Sequence, residues 1–523
     1  MKQVVESFQN PVPSRQKSAW GRGRPRPLRR GQSRRAELRE SALPTLRRPS
    51  LRHLATGNWL LVSLLAVLLL GPHARTRADV PAEPILVLPD VLRSVTNQYP
   101  PLLAALIERD IANGRLRSAQ GAFDFNVFAK SFGNPTGYYD YGTFDAGFEQ
   151  FLGIWGSTLF GGYRITRGTL PDYDKNRTQD GGEPRLGVRI PLLRDGSIDR
   201  RRAAILQARL DQELADPFIL RQQLDFVRAA SVAYWSWLGA GRRLQVAEEL
   251  LRVASDRGAA LTNQVSSGLI RPIVLTDNQR LIVSRQISVV QARRRFEASA
   301  IALSLFFRDP RGNPIPAGRE RLPGDFPAAN PPDSNGVSTD IELAYLARPE
   351  VRRIQLQRQR TEVDRRLAKN NLLPNLDIGA SVSQDFGQDR YKDKSRFEVE
   401  AGVELRIPLQ RRDAQGRVAA AEAQLDRLAN EEAFARDRIA AEIRDAFSAW
   451  MAASDQITQT RSNVELARTL EQAEGVMFER GASDLLAVQI RELASFEARV
   501  LEADALTDYF RAQADYHAAT ARR

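Results

Sequence analysis

Two stretches of this chain close in nearly the same way, and each opens into a run of helix-forming residues too long for a compact globule. Residues 186–192 read Leu186-Gly187-Val188-Arg189-Ile190-Pro191-Leu192, and residues 403–409 read Val403-Glu404-Leu405-Arg406-Ile407-Pro408-Leu409. A basic turn follows each, Arg194-Asp195-Gly196 in one and Arg411-Arg412-Asp413 in the other. The correspondence continues in Ala203-Ala204 with Ala420-Ala421 and in Gln207 with Gln424. After a slip of one residue it persists in Val227-Arg228 with Ile443-Arg444 and Ala233-Tyr234 with Ala449-Trp450. Gly268 and Gly481 then interrupt both runs at similar distances. Matches that recur in one order are the mark of internal duplication.

The long runs predict helix because Ala, Leu, Arg, Gln and Glu dominate and apolar residues recur at three- and four-residue spacing, as in Ile205, Leu206, Leu210 and Leu214 or Leu425, Leu428 and Ala429. Each covers about 70 residues, on the order of 100 Å at the helical rise. Pro217 lies within the first and is expected to kink or break it. Shorter helical segments precede the strands and follow each glycine, at 89–118 and 269–306 in the first copy and 341–371 and 483–511 in the second. At about 30 to 40 residues each, two of them stacked end to end match one long helix.

Between the helices lie segments that alternate with period two. The clearest sets Phe397, Val399, Ala401, Val403, Leu405 and Ile407 against Glu398, Glu400, Gly402, Glu404 and Arg406. Leu376, Ile378, Ala380 and Val382 alternate just upstream, across the polar loop 384–395. In the first copy Phe123, Phe125 and Val127 begin a strand, and residues 144–163 supply another region of strand character beyond the loop 133–141. One apolar and one charged face fit a lipid-out, water-in barrel wall, and also a soluble sheet with one wet face. Residues 123–163 hold 13 of the 39 aromatics, a concentration that interfacial girdles or a soluble β-core would both produce.

The net charge of +13 belongs mostly to one end, since residues 1–57 carry 14 Lys/Arg against 3 acids. The charge therefore gives no reason to expect a nucleic-acid partner. The basic leader precedes an apolar run from Trp59 to Leu70 and the small-residue end Thr76-Arg77-Ala78, the layout of a cleavable export signal. The run is shorter than the roughly 18 apolar residues of a spanning helix. Cleavage after Ala78 starts the mature chain at Asp79. An exported chain without a membrane-length helix enters a membrane only through strands, whose backbone groups are satisfied by closure of the sheet. Two strand pairs are too few to close a wide barrel, so several subunits must share one.

There is no cysteine, and of three histidines only His517 lies beyond the leader. Disulfides, thiolate or His-rich metal sites and cysteine nucleophiles are thereby excluded. Neither a phosphate-binding glycine loop nor a Gly-x-Ser-x-Gly elbow is present, and carboxylates on helices of this composition ordinarily make neighbour pairs. Neither an enzyme nor a cofactor or metal is expected.

The pattern as a whole resembles the TolC-type outer-membrane factor family over roughly residues 89–519. The residues that carry the resemblance are the duplication, the Ile-Pro-Leu ends leading into very long helices, the glycine turns, and Leu372-Leu373-Pro374-Asn375-Leu376 at a helix-to-strand entry. It implies a mainly α fold with a β-barrel part, in which long antiparallel helical hairpins form an α-barrel. Four transmembrane β-strands per protomer would complete a tandem-duplicated subunit, and a homotrimer would share a twelve-stranded barrel in outer-membrane lipid above a periplasmic helical tunnel. Such channels are passive exit ducts of tripartite efflux pumps or type I secretion systems. A periplasmic adaptor (membrane fusion protein) docks on the helical tips, and an inner-membrane transporter supplies the energy.

On this basis residues 1–78 are leader and signal, 79–118 an N-terminal helix, 119–192 the first strand pair and 193–310 the first long hairpin. A linker follows at 311–340, then an entry helix at 341–372, the second strand pair at 373–409 and the second long hairpin at 410–523. The resemblance places the docking tips at Ser267, Gly268 and Leu269 and at Arg480, Gly481, Ala482 and Ser483, and points to Asp277 and Asp484 as aperture acids. Ala487 and Ile490 stand where the second return helix would carry a further acid, and Pro272 makes the first turn look about two residues longer than the second. Taken singly, either glycine also reads as a simple helix end. A periplasmic coiled-coil adaptor or scaffold is the alternative, since it too needs export and long helices.

Overall fold

The computed structural model describes residues 84–522. The basic leader, the apolar run and the cleavage site after Ala78 lie outside them. Among the described residues the helices are α1 (Leu88–Gln98), α2 (Pro100–Leu106), α3 (Glu108–Gln120), α4 (Arg200–Ser266), α5 (Pro272–Ser304), α6 (Val337–Ala347), α7 (Pro349–Asn370), α8 (Arg412–Glu479) and α9 (Leu485–Ala519). Strands β1 (Asn126–Asn134), β2 (Tyr141–Phe151), β3 (Thr158–Gly168), β4 (Glu183–Pro191), β5 (Asn375–Gln384) and β6 (Phe397–Arg406) form one sheet in that order, every neighbouring pair antiparallel.

The two long helices have 67 and 68 residues, close to 100 Å each. Asp199 caps the start of α4 by accepting a hydrogen bond from the Arg202 backbone N–H at 2.8 Å. Helix α4 runs on through Pro217 without the break that was one of the two expected outcomes. Packing outweighs the one backbone bond lost there: Pro217 is buried, and Arg109 of α3 holds the adjacent Asp216 at 2.8 Å. No helix among the described residues is long and apolar enough to cross a membrane.

Ion pairs fix the helical register. Arg228 with Asp515, Arg243 with Asp504, Glu249 with Arg499 and Arg257 with Glu492 join α4 to α9, one residue number falling as the other rises, so the two run antiparallel. The same antiparallel order links α7 to α8 through Arg348–Glu442 (2.5 Å), Arg358–Glu432 (3.0 Å) and Lys369–Glu422 (3.1 Å). Along α4 lie α3 at one end and α5 at the other, and along α8 lie α7 and α9. Short helices thus flank each long one in pairs.

Midway along the helices the core is aromatic. Tyr234, Trp235, Trp237, Phe296, Tyr509 and Phe510 pack together, with Trp235 stacked on Phe510 at 4.2 Å between ring centroids. The polar atoms of these rings anchor chain that lies outside the long helices. Trp237 Nε1 donates to the Ala317 carbonyl at 3.2 Å, Tyr234 Oη to Leu86 at 3.1 Å, and Tyr509 Oη to Asn330. Burial of such rings is worth several kcal/mol each, on the order of 3–5 by truncation.

The strand count differs from the sequence reading. Six strands, not four, make up the sheet: residues 144–163 fall in two strands joined by the turn 152–157, and residues 183–191 add a strand of their own. That turn is made by Gly153, Trp155 and Gly156, all at positive φ (67°, 51° and 64°). Its apolar neighbours Leu152 and Ile154 disguised it as more strand. Residues 123–125 are not strand either: a short 3-10 turn ends at Phe123 and β1 begins at Asn126.

Candidate functional site

The register sorts the sheet into two chemically distinct faces, because residues directly opposite each other share a side. One face carries Val127 and Ala129 on β1, Phe144, Ala146 and Phe148 on β2, and Leu159, Gly161, Tyr163 and Ile165 on β3. It continues through Leu186, Val188 and Ile190 on β4, Ile378, Ala380 and Val382 on β5, and Val399, Ala401, Val403 and Leu405 on β6. The other face carries Lys130, Asp145, Arg164, Arg185, Arg189, Asp377, Glu398, Glu400 and Glu404. Many apolar-face side chains stand open, Val127 at 75% and Val403 at 68% of full exposure. On the polar face, by contrast, Asp145 is buried and accepts from Arg185 at 2.8 Å and Arg164 at 3.2 Å. One side of the sheet is thus mainly apolar and open, and the other carries nearly all the charges.

Two loops close over the polar face at the end of the sheet away from the helices. Arg177, in the β3–β4 loop, donates to both carboxylate oxygens of Asp393 in the β5–β6 loop at 3.0 and 3.1 Å, and its guanidinium lies 3.8 Å over the Tyr391 ring. Gln179 is fully buried between the loops: its backbone N–H donates to Asp385 at 2.8 Å and its side-chain oxygen accepts from the backbone of Arg390 and Tyr391. Lys394 reaches Asp385 at 2.5 Å and the Arg177 carbonyl at 2.6 Å. The Arg177 hydrogen bonds hold the Asp393 carboxyl below the usual carboxylate range. The sequence signalled only a polar loop here, because the partners are more than 200 residues apart.

At the opposite end of the molecule the helical hairpins turn by the same device. The Gly268 N–H bonds the Val265 carbonyl and the Leu269 N–H that of Gln264; likewise Gly481 bonds Phe478 and Ala482 bonds Met477. Both are Schellman endings, which need the left-handed residue that glycine supplies, at φ 71° and 73°. The return helices begin four residues after each glycine, at Pro272 and Leu485, so the first turn is not longer than the second. Ser267, Gly268, Leu269, Arg480, Gly481, Ala482 and Ser483 all lie at these reversals, and Leu269 is 75% exposed. Asp484 is the N-cap of α9 and accepts from the Ala487 N–H at 2.8 Å, while Asp277 pairs with Arg280 on its own helix at 3.4 Å.

A polar belt behind the tips was not read from the sequence. Arg257 pairs with Glu492, eleven residues from each turn glycine, and both are largely buried. Arg285 is buried beside them; burial, then the nearby charge of Arg257, lowers its pKa from the ordinary value. Its Nε has no hydrogen-bond partner among the described residues, nor has the side-chain oxygen of buried Asn278.

The chain is thus a six-stranded sheet carried on paired helices, the two longest of about 100 Å. Residues 341–522 match the model of the outer membrane efflux protein family. The fold matches the outer-membrane channel OprN with TM-score 0.61 at 14% identity, covering 83% of this chain and 90% of that one. It matches the Neisseria gonorrhoeae MtrE outer membrane channel in its open state with TM-score 0.61 at 14% identity, covering 83% and 88%. It matches the outer membrane protein VceC from Vibrio cholerae with TM-score 0.58 at 15% identity, covering 83% and 96%. No curated protein matches the chain in sequence.

Proposed function

We propose that this protein is the outer-membrane exit duct of an export machine, a passive channel built by three copies of the chain. The observation that carries the proposal is the sheet: one face mainly apolar across all six strands, the other carrying nearly all the charges, and both edges, β1 and β6, unpaired within the chain. In lipid, unpaired backbone at such edges costs several kcal/mol per group, so the sheet is stable there only when neighbouring copies close it. The helices below prolong the wall as a tunnel. Apolar side chains that no element of the same chain covers, such as Val283, Ile287, Val290 and Ile301 on α5, are available to the neighbouring copies.

The reversals at Gly268 and Gly481 are the docking points for a periplasmic adaptor, behind which an inner-membrane transporter drives export. Asp277 and Asp484 stand close to the aperture between them. Efflux of small molecules and type I secretion of polypeptides both use such a duct. The duct neither binds a cofactor nor catalyses a reaction. The alternative of a periplasmic coiled-coil adaptor leaves the exposed apolar face of six strands without a use. Membrane fractionation separates the two: a duct is extracted with the outer membrane and shows heat-modifiable mobility, whereas an adaptor is released without its β-structure resisting denaturation.

A further inference from the structure

The two halves of the chain do not contribute equally to the sheet. Strand β4 ends in Ile190-Pro191-Leu192 and leads to α4, just as β6 leads through Ile407-Pro408-Leu409 to α8. The hairpin β3–β4 therefore corresponds to β5–β6, with the two latched loops at the same end. Strands β1 and β2 have no counterpart in the second half. They are hydrogen-bonded to the sheet throughout, Ala129 opposite Ala146 and Ala146 opposite Tyr163, and they extend both its apolar and its polar face.

We infer that this additional hairpin is part of the membrane wall and forms the contact between copies, β1 of one protomer pairing with β6 of the next, so that each copy supplies six strands and a trimer eighteen. The inference rests on the proposed shared barrel and adds which edges meet. An even number of antiparallel strands leaves the first and last running in opposite directions, so successive copies join by the same antiparallel pairing used within each sheet. The edges also match in length, nine residues against ten, within the range that crosses a bilayer when tilted. Val127 and Ala129 of β1 lie on the same side as Val399, Ala401, Val403 and Leu405 of β6, and the one charge on β1, Lys130, lies with Phe128 and Phe132 on the side that carries Glu398, Glu400 and Glu404 of β6. Barrel diameter grows roughly in proportion to strand number, so eighteen strands enclose a lumen about one and a half times as wide as twelve.

The hairpin is also separable, because its ends meet: Gln150 Nε2 donates to the Phe123 carbonyl at 2.8 Å, where the chain enters and leaves. The native chain has no cysteine, so introduced pairs report contacts without background. The experiment combines Ala129→Cys on β1 with single cysteines at Val399, Ala401, Val403 or Leu405 on β6, oxidised in outer membranes and read as covalent dimers and trimers. Cross-linking at one or more of these positions is expected, and Tyr163→Cys on β3 with the same β6 series is expected to give none. In a chain lacking residues 126–151 the β3–β6 links are expected to appear in their place. An oligomer that assembles and conducts but links through β3 rather than β1 in the full chain overturns the inference while leaving the duct intact. A chain that stays monomeric and does not conduct overturns both.

Discussion

Arg177 grips Asp393 through two parallel hydrogen bonds, 3.0 and 3.1 Å long, and so ties the loop of one half of the chain to the loop of the other over the polar side of the sheet. Bidentate pairs of this kind fix geometry as well as energy. The polar side of the sheet is therefore covered, at the end away from the helices, by a latched pair of loops, and the latch has a definite response to pH.

The Asp393 carboxyl is held below its ordinary value by Arg177, so the stabilisation it gives is complete above the unfolded carboxylate value and is lost as pH falls through the depressed folded one. The protection of residues 169–182 against hydrogen exchange, relative to the unstructured rate at each pH, should thus be constant from neutral pH down to about 4 and fall below it. Asp393→Asn should exchange fast at neutral pH and lose that acid step, as should Arg177→Ala. Unchanged protection in both variants would show that the loops are held by other contacts.

The turn glycines carry a second expectation. Nothing lies within 4 Å of a Cβ placed on Gly268 or Gly481, so a substitution there meets backbone strain alone. Valine at a left-handed position costs roughly 1–2 kcal/mol, and asparagine less. Gly268→Val and Gly481→Val should leave the oligomer mass intact and weaken adaptor cross-linking at the tips, with Gly→Asn retaining it. Loss of assembly in the valine variants would place these turns in folding rather than docking.

The two faces of β6 should answer differently to charge. Val403→Arg puts a cation on the exposed apolar face, worth about 2–4 kcal/mol against insertion at mid-membrane depth. Glu400→Gln changes the opposite face, where its partner Lys175 is solvent-exposed, and should be close to neutral. Refolding yield into lipid vesicles measures both, and equal tolerance would contradict the assignment of the faces.

Removal of Glu492 should destabilise the helical part by about 3–5 kcal/mol, since Arg257 would be left buried without its partner and close to the charge of Arg285. Arg257→Leu combined with Glu492→Leu should recover most of the loss. Thermal unfolding of the single and double variants decides it, and additive losses would show that the pair does not act as a unit.

Much of the helical architecture was legible because local signals agreed with it. Leu206, Leu210 and Leu428 kept their spacing, and glycine marked both reversals, where Schellman endings require it. Other features were hidden wherever distant residues decide the outcome. Pro217 reads as a kink or a break, yet the helix continues past it. The turn at Gly153 to Gly156 is built from residues as apolar as the strands it joins, and so those two strands read as one. The loop latch, the belt at Arg257 and the aromatic core around Trp237 depend on partners from other parts of the chain, which no local pattern announces.

Planar-bilayer recording of the full-length protein purified from outer membranes, with its mass determined in the same detergent, tests the central claim most directly. Discrete conductance steps from an oligomer of three chains are the expected result. A water-soluble monomer that leaves the bilayer sealed would contradict it.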